Sequence, residues 1–246
     1  MVDPAERMFR GFHEREHDKT DVDLARDDFA DAVREFHELA VRGAAEVGYL
    51  RDAAGKIRAI AAQLDDKVPT ESYGSLAGMS DHVSGTVGRT SFLDRSPISG
   101  SMNPLAAPMK MSIQMPDPQN GVEGTVTGRV TFGLAYEGPP GCVHGGFVAA
   151  AFDEVLGQVQ AMTGEPGMTG ELVVRYKSPT PLHTELVFTA RVVKVEGRKI
   201  HTHATLTAGE RLCAESEGLF ISMNKEVFAR LLRIRSGESS NDGQQL

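Results

Sequence analysis

Apolar residues recur every three or four positions between Asp21 and about Asp66, at Phe29, Val33, Phe36, Ala40, Ala44, Val47, Ala54, Ile57, Ile60 or Ala61, and Leu64. That period is helical. A single helix of this length would run about 70 Å, and Gly43, Gly48 and Gly55 predict a break, so the stretch reads as two helices. They would form a hairpin, lie along a partner subunit, or serve as a coiled-coil dimerisation arm. From 67 to about 103 the chain turns to Gly, Ser, Thr, Pro and Asp with weak periodicity, as in a domain linker or a loop covering a pocket.

Beyond Asn103 the period changes to two. Met109, Met111, Ile113 and Met115 alternate with Lys110, Ser112 and Gln114, and Gly124 to Tyr136 alternates again through Val126, Val130, Phe132, Leu134 and Tyr136. Both stretches read as half-buried strands. Further strands are predicted at Thr169 to Lys177, His183 to Glu196, Lys199 to Leu206 and Arg211 to Met223, with turns at Glu196-Gly197-Arg198 and Ala208-Gly209-Glu210. A short basic-apolar helix is predicted over 226–235, followed by a polar tail over 236–246.

Between the second and third strands lies Gly138 to Gly157, where a turn becomes a helix. Pro139, Pro140 and the glycines exclude regular structure up to about Gly141, whereas Phe147 to Met162 is proline-free and rich in alanine. The helix should therefore begin near His144 or Gly145. Its Gly145-Gly146 start leaves backbone N–H groups without intrahelical partners or covering side chains, at the end where the helix dipole favours negative charge. This is a candidate oxyanion site. Phe147, Val148, Ala151, Phe152, Val155, Val159 and Met162 cover most of the circumference, leaving Gly146, Ala149, Ala150, Asp153, Gly157 and Gln160 on one stripe. Asp153 is then either a solvent-face acid or a carboxylate facing an approaching backbone or ligand; helix-packing glycines would explain the small residues without chemistry.

Strand, strand, long apolar helix and several more strands make an α+β pattern, one sheet around one buried helix. The net charge of -8 speaks against a nucleic-acid partner. No apolar run is long enough to span a membrane, and the charged start from Met1 to Arg7 does not read as a signal. Acids in the first thirty residues also oppose a mitochondrial transit peptide, so the expectation is a cytoplasmic protein. Cys142 and Cys213 make no disulfide framework. Cys142 precedes His144 by two, which invites a nucleophile reading against that of a small buried cysteine. His201 and His203 share a strand face without an evident third ligand, so a solvated face is preferred to a metal site, and no metal or cofactor is expected.

His144-Gly145-Gly146 followed by Asp153 resembles the His-Gly-Gly-x6-Asp signature of hotdog-fold acyl-CoA thioesterases of the phenylacetate-pathway (PaaI) type. The resemblance continues through Thr169, Tyr176-Lys177-Ser178-Pro179, Lys194 to Lys199, and Glu217-Gly218-Leu219-Phe220-Ile221, over roughly residues 101 to 224. It is closest to the branch containing mammalian mitochondrial long-chain acyl-CoA thioesterases. It implies a hotdog fold, a curved antiparallel sheet wrapped around a central helix, here with an N-terminal helical extension. The expected division is an extension and linker over 1–100, a hotdog domain over 101–225, and a short helix and tail over 226–246.

The resemblance also implies roles. Gly145 would hold the developing oxyanion through its N–H. Asp153 would activate water or attack as a nucleophile, acting at the partner protomer's site. Thr169 would help hold the water, and His144 would order the loop at the helix start. Gly146, Arg175, Lys177, Arg198 and Lys199 are candidates for substrate binding, the four cations for the coenzyme A phosphates. The implied assembly is a homodimer or dimer of dimers with sites at the subunit interface. The alternatives are a hotdog acyl-CoA-binding or regulatory module without hydrolysis and, less favoured for want of an Asp-x4-His arrangement, a hotdog hydratase.

Overall fold

A computed structural model describes residues 19–43, 45–67, 92–117, 119–165 and 167–222. The expected helix over 226–235, the polar tail, Met223 and most of the irregular segment before residue 92 lie outside the described residues. Among the described residues three helices, α1 (Asp21–Arg42), α2 (Val47–Asp65) and α3 (Gly145–Ala161), accompany six strands. These are β1 (Lys110–Gln114), β2 (Thr125–Thr131), β3 (Gly167–Tyr176), β4 (Glu185–Glu196), β5 (Lys199–Ala208) and β6 (Arg211–Ser222).

All six strands join one sheet in the order β1-β2-β4-β5-β6-β3, antiparallel throughout. The order follows from local chemistry at the hairpins and from one long crossover. Gly197 and Gly209 both take φ +59, as tight hairpin turns require, so β4, β5 and β6 are sequential neighbours. β3, which follows α3, lands on the far side of β6 and forms an edge; no strand pairs with its outer side among the described residues. Across one face of the sheet lies α3, with Val148, Phe152, Val155, Leu156 and Val159 fully buried against Val126, Leu186, Phe188 and Leu206. Phe152 meets Phe188 edge-to-face, ring centroids 5.0 Å apart. This is the hotdog arrangement.

The predicted second strand is shorter than its alternation suggests. β2 ends at Thr131, opposite Glu185 at the start of β4. Beyond it the Phe132 carbonyl accepts from His183 N–H at 2.8 Å, and Leu134–Tyr136 coil into a 3₁₀ turn. Leu134 and Tyr136 kept the apolar phase because both still pack on the core, although the ladder that makes a strand had run out of partner. Gln160 also departs from the open stripe, being 6% exposed. Its Oε1 lies where a Cβ on Gly167 would come within 2.6 Å, so the side chain fills the space that glycine leaves at the start of β3.

The break between the N-terminal helices falls at Gly43, whose φ of 170 is extended backbone. α1 begins with a capping box in which the Thr20 hydroxyl accepts from Asp23 N–H at 3.3 Å and the Asp23 carboxylate accepts from Thr20 N–H at 3.0 Å. α1 docks on the hotdog body. Arg34 donates to the carbonyls of Asn103 and Ser101, both at 2.9 Å, and Glu38 accepts from Ala135 N–H at 3.3 Å, at the first turn of the 3₁₀ segment. α2 buries none of its residues. No helix among the described residues is long and apolar enough to cross a membrane.

Phe152→Ala should lower the free energy of unfolding by about 3–5 kcal/mol, because it removes a ring buried between helix and sheet and leaves a cavity. Denaturant unfolding followed by far-UV circular dichroism would measure it, and a loss below about 1 kcal/mol would contradict this account of the core.

Candidate active site at the start of the buried helix

The entry into α3 is stapled before the helix begins. Gly138 N–H donates to the Cys142 carbonyl and Cys142 N–H to that of Pro139, both at 2.9 Å, while Glu137 accepts from Gly141 N–H at 2.6 Å. Gly141 takes φ +72, and a Cβ on Gly138 would come within 2.7 Å of the His144 Cα. Both positions therefore need glycine, one for conformation and one for space. His144 N–H donates to the Tyr136 carbonyl at 2.9 Å, and Val143 N–H to that of Thr180 at 2.9 Å. The 3₁₀ turn gripped by Glu38 thus positions the residue that caps the helix.

His144 is that cap. Its φ and ψ of -60 and 131 are extended, and its Nδ1 accepts from Gly146 N–H at 3.0 Å. An accepting Nδ1 carries no proton, so the neutral ring holds its hydrogen on Nε2. The His144 carbonyl accepts from Phe147 and Val148 N–H at 2.9 and 3.3 Å. The N–H of Gly146 is therefore occupied, and the N–H of Gly145 meets no acceptor among the described residues. Helix dipole and open donor converge on that one amide.

Two turns along the helix, Asp153 is half-buried on the stripe of small residues. Thr169 Oγ1 donates to its Oδ1 at 2.8 Å. Residues 145 and 153 are separated by about 12 Å of helical rise, so the open amide and the carboxylate of one chain lie well apart. Ala149, Ala150 and Gly157 on this stripe are also only half-buried, and a Cβ on Gly157 would meet nothing within 4 Å. Ala151, Glu154 and Gln158 lie toward the other side. There the buried Ser99 donates a short hydrogen bond to Glu154, and Ala106 and Ala107 are buried nearby in sequence.

The four candidate cations divide into two groups. Arg175 and Lys177 alternate with the helix-facing Val174 and Tyr176, which puts them on the outer face of the sheet. There Arg175 pairs with Glu217 at 3.0 Å and Lys177 with Glu215 at 2.7 Å. Lys177 beside it holds the half-buried Glu215 carboxyl below the usual carboxylate range. Arg198 donates from Nε to the Ser222 carbonyl at 3.0 Å, at the hairpin before Lys199. That hairpin adjoins the Gly167 end of β3, whereas Arg175 and Lys177 sit near the Gly145 end. His201 and His203 line a groove of about 390 Å³ on the outer face with Arg191, Lys194, Glu171 and Glu217, and His201 Nε2 lies 3.3 Å from Glu196. No group of three or more potential metal ligands gathers among the described residues. Cys142 is half-buried and Cys213 buried, and both are free thiols.

Reading the sequence for chemistry passed over two tyrosines that the fold brings to the helix start. The Tyr136 phenol donates to the Leu105 carbonyl at 3.0 Å, and its ring stands edge-on to Phe132 and Phe147 with centroids 5.2 and 5.0 Å away. Burial pushes its pKa up to about 12. The Tyr176 phenol donates to the Gly145 carbonyl at 2.7 Å, and burial raises its pKa as well. Both hydroxyls therefore stay protonated donors through the neutral range. Apolar alternation marked both only as strand residues.

A hotdog sheet around a helix that opens on an uncovered amide defines a class of small α+β proteins, and comparison with known chains narrows it. A profile of the thioesterase superfamily matches residues 140–215. A solved crystal structure of a thioesterase superfamily protein is 32% identical, with a TM-score of 0.65, over 80% of this chain and 90% of that one. The chain belongs to the thioesterase superfamily. The acyl-coenzyme A thioesterase THEM4 of Xenopus laevis is 36% identical over 35% of this chain and 40% of its own length. THEM4 of Mus musculus is 34% identical over 44% and 47%, and the human acyl-coenzyme A thioesterase THEM5 is 30% identical over 38% and 39%. The chain spans less than half the length of these curated relatives.

His144→Ala should lower stability by about 1 kcal/mol, the usual cost of losing a side-chain helix cap. Urea unfolding would measure it, and no loss would mean that the ring does not secure the helix start.

Proposed function

We propose that the chain hydrolyses the thioester of a fatty or aromatic acyl-CoA to the free acid and coenzyme A. The observation that carries this reading is the Gly145 N–H at the dipole-positive end of α3, which meets no acceptor among the described residues, on the same helix as an acid already hydrogen-bonded to Thr169. Membership of the superfamily supports it, as do relatives named as acyl-coenzyme A thioesterases.

In this reading the substrate carbonyl oxygen accepts from Gly145 N–H, with Gly146 leaving room for the acyl thioester. Asp153 acts as base or as nucleophile. As base, it takes a proton from a water that the Thr169 hydroxyl helps hold. The water oxygen bonds to the carbonyl carbon, charge collects on the oxygen facing Gly145, the C–S bond breaks, and the leaving sulfur takes up a proton. Removing one such amide donor typically costs about 10²–10³ in turnover.

The roughly 12 Å between residues 145 and 153 along one helix supports a homodimer in which Asp153 of one chain works opposite Gly145 of its partner. The outer edge of β3, unpaired among the described residues, is a suitable joint, and a dimer of dimers would build on that unit. Arg175, Lys177, Arg198 and Lys199 are the cations we assign to the coenzyme A phosphates; Arg175 and Lys177 would exchange their glutamate partners for phosphate. The two free thiols suit a reducing compartment such as the cytosol. Within the division proposed from the sequence, residues 101–225 carry the chemistry and 1–100 supply the extension.

Thiol release should be measured with short, medium, long and aromatic acyl-CoAs, using wild type beside Asp153→Asn. The expected result is hydrolysis of at least one class by wild type and a fall of about 10²–10⁴-fold in kcat for the variant, at unchanged size in solution. Equal rates would remove Asp153 from the reaction. Acyl-CoA binding without hydrolysis by either protein would replace the enzyme with a binding module.

A further inference from the structure

β3 contains a break in register that its alternation hides. Thr169 stands opposite Phe220 of β6 and Glu171 opposite Leu219, so Gly170 is left without a cross-strand partner. This is a β-bulge, and its effect is on parity. Thr169 and Tyr176 are seven positions apart, an odd number, so in an uninterrupted strand their side chains would leave opposite faces. The extra residue restores them to one face. Thr169, Leu172, Val174 and Tyr176 stand opposite Phe220, Gly218, Ser216 and Ala214, alternate residues of β6 that are all buried toward the helix. At Gly170 itself a Cβ would lie 3.2 Å from Ile221 Cγ1 and 3.4 Å from the Leu219 carbonyl oxygen, so the bulge favours a residue without one.

The two side chains brought to this face address the two ends of the site. Thr169 donates to Asp153 at 2.8 Å, and Tyr176 donates to the Gly145 carbonyl at 2.7 Å. That carbonyl shares a peptide unit with the Gly146 N–H, which His144 Nδ1 accepts at 3.0 Å. The Gly145–Gly146 peptide is thus held at both its oxygen and its hydrogen. Two consecutive glycines would otherwise be the softest point of the helix start, and a tilt of this peptide swings the adjoining amide, the open N–H of Gly145. Tyr176 remains 54% exposed, so its hydroxyl is not there to complete the core.

We infer that Tyr176 is a positioning residue that fixes the direction of the Gly145 N–H, and that the Gly170 bulge is what lets β3 hold this amide and the Asp153 carboxylate at once. The inference rests on the hydrolase reading for its kinetic consequence and on geometry alone for the grip itself. Of the three ring side chains His144, Tyr136 and Tyr176 at the helix start, it is Tyr176, on β3, that donates to the Gly145 carbonyl.

Tyr176→Phe removes only the hydroxyl and tests this in two ways. In the full chain, kcat for the best acyl-CoA should fall about tenfold to a hundredfold, as small misplacements of a catalytic group do, with KM within about twofold and a melting temperature near that of wild type. In protein labelled with ¹⁵N-glycine, the amide signals of Gly145 and Gly146 should shift or broaden in the variant, while those of the hairpin glycines Gly197 and Gly209 stay in place. Unchanged kcat in an active enzyme, or unmoved Gly145 and Gly146 signals, would overturn the inference. So would a fall in kcat accompanied by a large loss of thermal stability, which would mark the tyrosine as structural. The spectra need no turnover. Were wild type to hydrolyse nothing, the proposed reaction would fail, and the glycine signals would still decide the grip.

Discussion

Burial of α3 against the sheet is the constraint on which the rest of the molecule depends. Its apolar side chains are distributed round most of the circumference, and the sheet covers only the part centred on Phe152. On a second side the buried Ser99 bonds to Glu154. What remains is the line of Gly146, Ala149, Ala150, Asp153 and Gly157, whose side chains are too short to cover themselves. A helix held this firmly on two sides can leave a third open without losing its place, and the open side carries both the free amide and the carboxylate.

The helix start is fixed by a relay that reaches back to the N-terminal extension. Glu38 on α1 takes the Ala135 N–H, the next residue's carbonyl takes the His144 N–H, and the His144 ring takes the Gly146 N–H. Arg34, one turn before Glu38, holds the carbonyls of Ser101 and Asn103, and the adjoining segment receives the Tyr136 phenol at Leu105. One helical turn of α1 therefore ties together the two loops that flank the entry to α3. The body from 101 to 222 is about half of the chain, so the structural relative that matches 80% of it takes in part of the extension as well. Within the extension it is α1 that forms part of the site's scaffold, whereas α2 buries none of its residues.

Charge is arranged by face. The helix side of the sheet is uncharged, with the polar Thr202, Ser216 and Ser222 buried among its apolar residues, while the outer side carries Arg175 with Glu217, Lys177 with Glu215 and the two histidines of β5. Exposed pairs of this kind contribute little to stability, commonly below about 1 kcal/mol. They keep their cations available at low cost, which suits exchange with an anionic ligand.

Much of this was legible one residue at a time. The two N-terminal helices, the strands, the hairpin glycines, the apolar helix and the Gly-Gly opening at its start all express local preferences, namely period, turn chemistry and missing Cβ atoms, which act within a few residues; of the three glycines that marked a break, Gly43 makes it while Gly48 and Gly55 stay within α2. The resemblance carried by His144-Gly145-Gly146 and Asp153 pointed to the same fold. Features that depend on what lies across the fold were not legible. Leu134 and Tyr136 kept strand phase after the ladder partner had ended, and Gln160 kept helical phase with the open stripe although the start of β3 closes over it. Most tellingly, Thr169 and Tyr176 are of opposite parity along the chain and come to one face only because Gly170 is skipped by β6. Period records which side a residue prefers; pairing between distant strands decides where the count slips, and at this site one slipped residue puts two hydroxyls against the same helix.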